Sequence, residues 1–273
     1  EAETVEGKSL AGLLTVEVVD KVATIEGIYA SESGNYLGDL SITSGTNQAI
    51  TFLSTDESVT SITSGLKVGV TGNDAEHKAT AMEATNAKDK VTNTEDGVIT
   101  VNAHAVGMKA NAEAIAENVG TITVTNADGV GMLASGDKAA LTNLGTITVT
   151  KGIGMSTDKL AKDTTATLTN LGKIDVIDGT GIVVDGAGTT EVTFEETGTI
   201  EVAGGKTGIS VAGTGTTNVT GGKITGKTTA VGIDVASGTG TLTIKDTKIT
   251  VGEDGTGIKA TGNANITLKD GVI

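Results

Sequence analysis

Asn118-Val119-Gly120-Thr121-Ile122-Thr123-Val124 returns 25 residues later as Asn143-Leu144-Gly145-Thr146-Ile147-Thr148-Val149. Its Gly-x-Ile-x-Val kernel also stands at Gly97, Gly172 and Gly198. Looser copies lie at Gly222–Gly226 and Thr247–Val251, and the pattern is still running at Gly271-Val272-Ile273. The central residues Ile99, Ile122, Ile147, Ile174, Ile200, Ile224, Ile249 and Ile273 are 23 to 27 residues apart, about 25 on average. Within each copy the alternation is that of a strand, which sends Ile and Val to one face and the residue between them to the other. A five-residue strand cannot bury that face alone, so the copies must bury it against one another.

A second ladder has the same period. A small residue precedes Met82, Met108, Met132, Met155, Ile182, Ile209, Ile233 and Ile258, and all four Met of the chain stand on it. A third apolar step falls at Leu141, Leu168, Val192/Phe194, Val219, Leu242/Ile244 and Ile266/Leu268. Three alternating segments per repeat, each bounded by Gly, Asn or Asp, read as three strands and three turns. If each unit wraps once around an axis, corresponding strands pair in parallel ~4.8 Å apart, and like residues stack on like. The expected fold is all-β, a single-stranded parallel β-helix with about 25 residues and three strands per coil. A drifting period of 23–27 fits neither the ~18-residue turn of hexapeptide or calcium-binding solenoids nor a leucine-rich repeat. Over the whole chain it predicts roughly eleven coils and a rod about 50 Å long. Asn118, Asn143 and Asn170, each in Asn-x-Gly before the first strand, are expected to stack their amides from coil to coil, a pattern that fades after Gly198.

Residues 1–80 are less regular and read as irregular coils or a cap, with 81–273 as the regular helix. Ser41-Ile42-Thr43-Ser44-Gly45 returns as Ser61–Gly65 at a spacing of 20, which suggests shorter or distorted coils. Leu10, Leu13 and Leu14 are candidates to cover the open end. The sequence starts at Glu1 without Met or a signal segment, and its pattern runs to the last residue. Both features read as a piece of a longer chain.

Composition supports strands and excludes several roles. Of 273 residues, 40 are Gly and 49 Thr, with no Pro, Cys, Trp or Arg and four aromatic side chains. Thr favours strands, Gly breaks helices, and Pro would interrupt a parallel ladder. A net charge of −15 opposes nucleic acid and anionic membrane. No apolar run approaches a membrane span.

Candidate chemistry is sparse. His77 and His104 lie one coil apart, yet no carboxylate recurs with them, and exposed turn residues are the plainer account. The Met column is positionally equivalent to Ile182 and its successors, which makes it core rather than a soft-metal site. The Asp-Gly pairs at Asp96, Asp128, Asp178, Asp185, Asp254 and Asp270 lack the nonapeptide run of calcium rolls and read as turns. No metal, cofactor or catalytic residue is assigned. A polysaccharide-active enzyme is the third reading. The chain has no Arg for a lyase-type site, and neither Asp-Asp nor Gly-His-Gly for a hydrolase-type one, so it is read as a non-enzyme. Weak binding candidates remain. Tyr29 and Tyr36 are possible exposed anchors. Two longer connections, near Ser156–Asp163 and Asp185–Thr190, are expected to bulge as loops, and they contribute Asp158, Lys159 and Asp185.

Val-Gly-Met at 106–108 and 130–132, Asn-Leu-Gly-Thr-Ile-Thr-Val at 143–149 and Gly-Thr-Gly-Ile at 179–182 and 255–258 resemble the passenger regions of large autotransporter adhesins, the fusobacterial kind above all. The resemblance covers residues 80–273 well. It implies a right-handed β-helix exported across the outer membrane to the bacterial cell surface, with a C-terminal membrane barrel outside the present sequence. The partners it implies are host surface proteins, glycans or other bacteria, met by a monomeric rod. A passive stalk that holds a distal binding domain is the alternative.

Overall fold

The computed structural model describes residues 4–5, 8–9, 14–19, 22–30, 35–36, 40–44, 49–57, 59–195, 197–235 and 240–270, with side chains from Ile42 onward. From Leu40 on, every element is a strand of four to six residues, and no helix occurs among the described residues. The strands collect into three parallel sheets. The first runs from Leu40–Thr43 to Lys248–Val251 and the second from Ile50–Ser54 to Thr256–Ala260, with nine strands each. The third carries Ser61–Ser64 through Asn265–Lys269. The chain visits the first, second and third sheet in turn and then climbs to the next coil. This is a parallel β-solenoid of nine coils.

Nine coils replace the eleven expected. That figure assumed that the whole chain winds, whereas Leu14–Val19 and Val22–Ala30 pair antiparallel as a hairpin. Val22–Ile25 then joins the third sheet in parallel beside Ser61–Ser64. The 20-residue repeat is corrected too. Ser41–Thr43 lies in the first sheet and Ser61–Ser64 in the third, because the same alternation serves either wall. The early coils are longer, not shorter. Leu40 pairs with Val68, and Val68 with Ile99, steps of 28 and 31 residues. Leu10 and Leu13 lie outside the described residues, as does Ile273, and Leu14 is described only in its backbone.

The interior consists of columns. Val68, Ile99, Ile122, Ile147, Ile174, Ile200, Ile224 and Ile249 are successive register partners. So are Leu53, Met82, Met108, Met132, Met155, Ile182, Ile209, Ile233 and Ile258. From Met82 to Ile233 this second column is buried. Leu141, Leu168, Val192, Val219 and Ile244 form the third wall. Met and Ile interchange because each unbranched or singly branched aliphatic fills the same slot on the axis.

The small residue before each Met or Ile is a stacked bulge. Register passes from Val106↔Val130 directly to Met108↔Met132, skipping Gly107 and Gly131, and both the glycine and the Met face inward. A Cβ on Gly131 would stand 2.5 Å from the carbonyl oxygen of Gly154. In the inner coils Gly lets the backbones close there, whereas Ala81 stands in the second strand and Phe52 at the edge strand, where no earlier coil is stacked on it.

The expected amide stack is present at the corner between the third and first sheets. Asn93 Nδ2 donates to Asn118 Oδ1, Asn118 Nδ2 to Asn143 Oδ1 and Asn143 Nδ2 to Asn170 Oδ1, each at 2.8 Å. All four side chains are buried. Asn93 is the member that the Asn-x-Gly spacing missed, since its glycine, Gly97, comes two residues later than in the other copies. The glycine of the motif is obligatory: a Cβ on Gly145 would lie 2.0 Å from the carbonyl oxygen of Gly120 in the coil before.

Candidate binding surface

Since the inward residues are spent on the core, any binding must use the outward residues or the corners. The outer face of the third sheet is a field of hydroxyls. Thr165, Thr189, Thr216 and Thr241 form one column, and Thr142, Thr169, Thr193 and Thr220 another. Thr100, Thr123 and Thr148 continue the theme on the first sheet. Charged side chains on the outer surface of all three walls and their corners pair between neighbouring coils. Lys109 reaches Glu83 at 2.9 Å, Lys90 reaches Glu117 at 3.0 Å, Lys173 reaches Glu201 at 2.8 Å and Lys206 reaches Asp178 at 2.5 Å. Burial alone would raise the Glu83 carboxyl, but hydrogen bonds from Lys109, Asn111 and Thr51 outweigh it and lower it. The bond from Lys206 likewise lowers Asp178, and the bond to Glu201 raises Lys173.

The longest coil owes its extra length to a loop at Gly72–Lys78. Asp74 organises it, accepting from the backbone N–H of Glu76 and His77 at 2.9 and 2.8 Å and meeting His77 Nδ1 at 2.8 Å. These bonds, led by the His77 ring, hold Asp74 far below the usual carboxylate range. His104 stands in the corresponding corner of the next coil and faces Asp128 at 3.7 Å. Each histidine therefore has its own carboxylate, one local and one from a neighbouring coil, which spacing alone did not reveal. Among the described residues no three His, Asp or Glu side chains gather as metal ligands.

The two connections expected to bulge are pinned to each other at Leu160 and Gly186, while Asp158, Lys159, Ala161, Lys162 and Asp163 around the pin stay exposed. Leu160 is buried and pairs with Gly186 in a parallel bridge, with Leu160 N–H donating to the Asp185 carbonyl and Ala187 N–H to that of Leu160. The extra residues form an added rung because unpaired backbone would be costly so close to the core. Asp158 and Lys159 are exposed on this rung. Asp185 is half-buried and turns its own carboxylate onto Gly186 N–H at 2.8 Å. Tyr29 and Tyr36 are Cα partners on antiparallel strands, and their side chains lie outside the described residues.

The corner that carries the Asn stack also bears exposed aliphatics, Val119 and Leu144, with Leu171 half-buried beyond them. There the pattern breaks. Phe194 takes the next place in the Asn column, and the following coil offers Gly221 and Gly222. An open cleft of about 820 Å³ lies there, lined by Glu195, Gly221, Gly222, Lys223, Asp246 and Lys248, with Phe194 buried beneath it. In the sequence this shows only as the fading of the motif. The available signal was Gly221-Gly222 one coil after Phe194.

The match with known families accords with this geometry. Residues 11–191 match the model of the BigA third pectate lyase-like domain. No curated protein and no solved structure matches the chain. The matched span takes in the coils up to the added rung, and the same columns continue in register beyond it to Asn265–Lys269. Covering more than half of the 273 residues, the match places the chain in the family of the BigA third pectate lyase-like domain, a β-helix domain of bacterial surface proteins.

Proposed function

We propose that the chain is a passenger segment of a bacterial surface adhesin of the autotransporter kind, exported across the outer membrane, that contacts host surface proteins, glycans or other bacteria. The observation that carries the reading is the match to a surface-protein β-helix domain, joined to a rod whose outer faces repeat Thr and paired charge from coil to coil. Repetition of that kind offers the same polar group every ~4.8 Å, which suits a multivalent partner. Absence of Cys favours passage through the periplasm unfolded, followed by coil-on-coil folding outside. Net negative charge limits non-specific adhesion. We read the protein as a non-enzyme and a monomeric rod.

A second reading is a passive stalk. The bridge between Leu160 and Gly186 favours it, since it ties the two longer connections to each other. Purified chain applied to epithelial cells and to bacterial co-aggregation partners separates the two. Saturable attachment supports the adhesin, and attachment by the parent protein but not by this segment leaves the stalk.

A further inference from the structure

We propose that the outer face of the second sheet is a contact between two copies of this chain, packed wall to wall with their long axes antiparallel. The pairing is independent of the adhesin and stalk readings and leaves the rod monomeric when dilute. Outward residues set this wall apart. Its four successive strands Val130–Ala134, Ile153–Thr157, Thr180–Val184 and Thr207–Val211 contain no charged residue. Val130, Leu133, Ile153 and Val183 face outward there and are partly exposed. Over the same coils the first sheet turns only Thr and charged side chains outward. From Leu40 on, every strand belongs to one of the three walls, so none is left to form a layer over this face. Two chains of net charge −15 repel each other, and an uncharged aliphatic strip is where they approach at least cost.

The order of charges at the ends of the strip selects a second copy and fixes its direction. One outward column reads Glu83, Lys109, four uncharged residues, Asp234 and Lys259, all in direct register. A two-fold axis along the strands turns this column end for end. Lys109 then faces Asp234 of the second copy, and Glu83 faces its Lys259. A parallel arrangement would set each charge against its like. Within one rod Glu83 already meets Lys109 at 2.9 Å and Asp234 meets Lys259 at 3.3 Å, so the contact closes an alternating square of charge at each end. The edge that leads into the wall obeys the same reversal. Asp128, Lys151, Asp178 and Lys206 stand on successive coils just before Val130, Ile153, Thr180 and Thr207. Turned end for end, Asp128 faces Lys206 and Lys151 faces Asp178, each pair occurring twice as an isologous contact requires. From Glu83 to Lys259 the strip runs seven steps of ~4.8 Å, about 34 Å, and a five-residue strand makes it ~16 Å wide. Both copies together bury roughly 1,100 Å², the size of a weak and reversible contact.

The test is sedimentation equilibrium of the full 273-residue chain at concentrations up to ~1 mM. The wild type is expected to show a monomer–dimer equilibrium with a Kd between about 10 µM and 1 mM. Asp234→Lys combined with Lys259→Asp keeps the net charge and the ion pair within the rod, but it sets like charges across the contact. This exchange should weaken dimerisation at least about tenfold. Adding Glu83→Lys and Lys109→Glu restores opposite signs across the contact and should return the Kd to within about threefold of the wild type. That recovery also shows that the doubly exchanged chain did not lose its dimer by misfolding. A wild type that stays monomeric at ~1 mM, an association indifferent to the first exchange, or no recovery with the second overturns the proposal.

Discussion

Asn143 is bonded on both sides, accepting from Asn118 and donating to Asn170. Replacing it by Ala strands one donor and one acceptor in a dry corner, and Asn143→Ala should cost roughly 2–5 kcal/mol. The urea midpoint is expected to fall without change of slope, and a loss under ~0.5 kcal/mol would show that the stack adds little. Thr190 is the opposite case, with its hydroxyl buried and without a partner. Thr190→Val should therefore stabilise by about 1–2 kcal/mol, read from the same urea curve. Glu83 provides the pH dependence. Its folded pKa lies below the ordinary 4.5, so its stabilising contribution is whole above that value and is lost as pH falls through the lowered one. The melting-temperature difference between the wild type and Glu83→Gln should accordingly shrink between about pH 6 and pH 3. A constant difference would remove the Lys109 pairing as its source. Asn118, Asn143 and Asn170 were legible in the sequence because their offset from a glycine repeats. Phe194 was not legible as a cleft, because its meaning depends on Gly221 and Gly222 one coil later, and a break in a pattern does not say what fills it.

At the scale of elements, one column accepts two residue types for one reason. Met132 is buried between Met108 and Met155, and the column turns to Ile at Ile182. Met132→Ile should thus cost less than about 1.5 kcal/mol, whereas Met132→Ala should cost roughly 2–5 kcal/mol through the cavity it opens. Comparable losses for both variants would mean that the slot is shaped for Met and that the column argument fails. The strands were readable because alternation and period act together, each checking the other. The hairpin before Leu40 escaped such reading, since nothing repeats there and Leu14–Val19 alternates as well in an antiparallel pair as in a coil. The added rung at Leu160 was missed for a related reason. Length alone marks an insertion, but not whether its backbone finds a partner.

The molecule as a whole is a stack of units that touch only their neighbours. Its stability is then the sum of coil terms and coil-to-coil terms, and any coil in register is dispensable. Deleting Gly120–Leu144 joins Val119 to Gly145 and preserves every column, so the shortened chain should fold and unfold cooperatively. A deletion of half that length should not, because it sets inward residues of one wall against those of another. The absence of Cys allows the stacking itself to be measured. Thr100 and Thr250 occupy one outward column, six coil steps apart through Thr123, Thr148, Asp175, Glu201 and Thr225. Spin labels on Thr100→Cys and Thr250→Cys should give a narrow distance distribution centred near ~29 Å, six steps of ~4.8 Å. A broad distribution, or a centre beyond ~45 Å, would contradict the stacked coil and with it the surface built upon it.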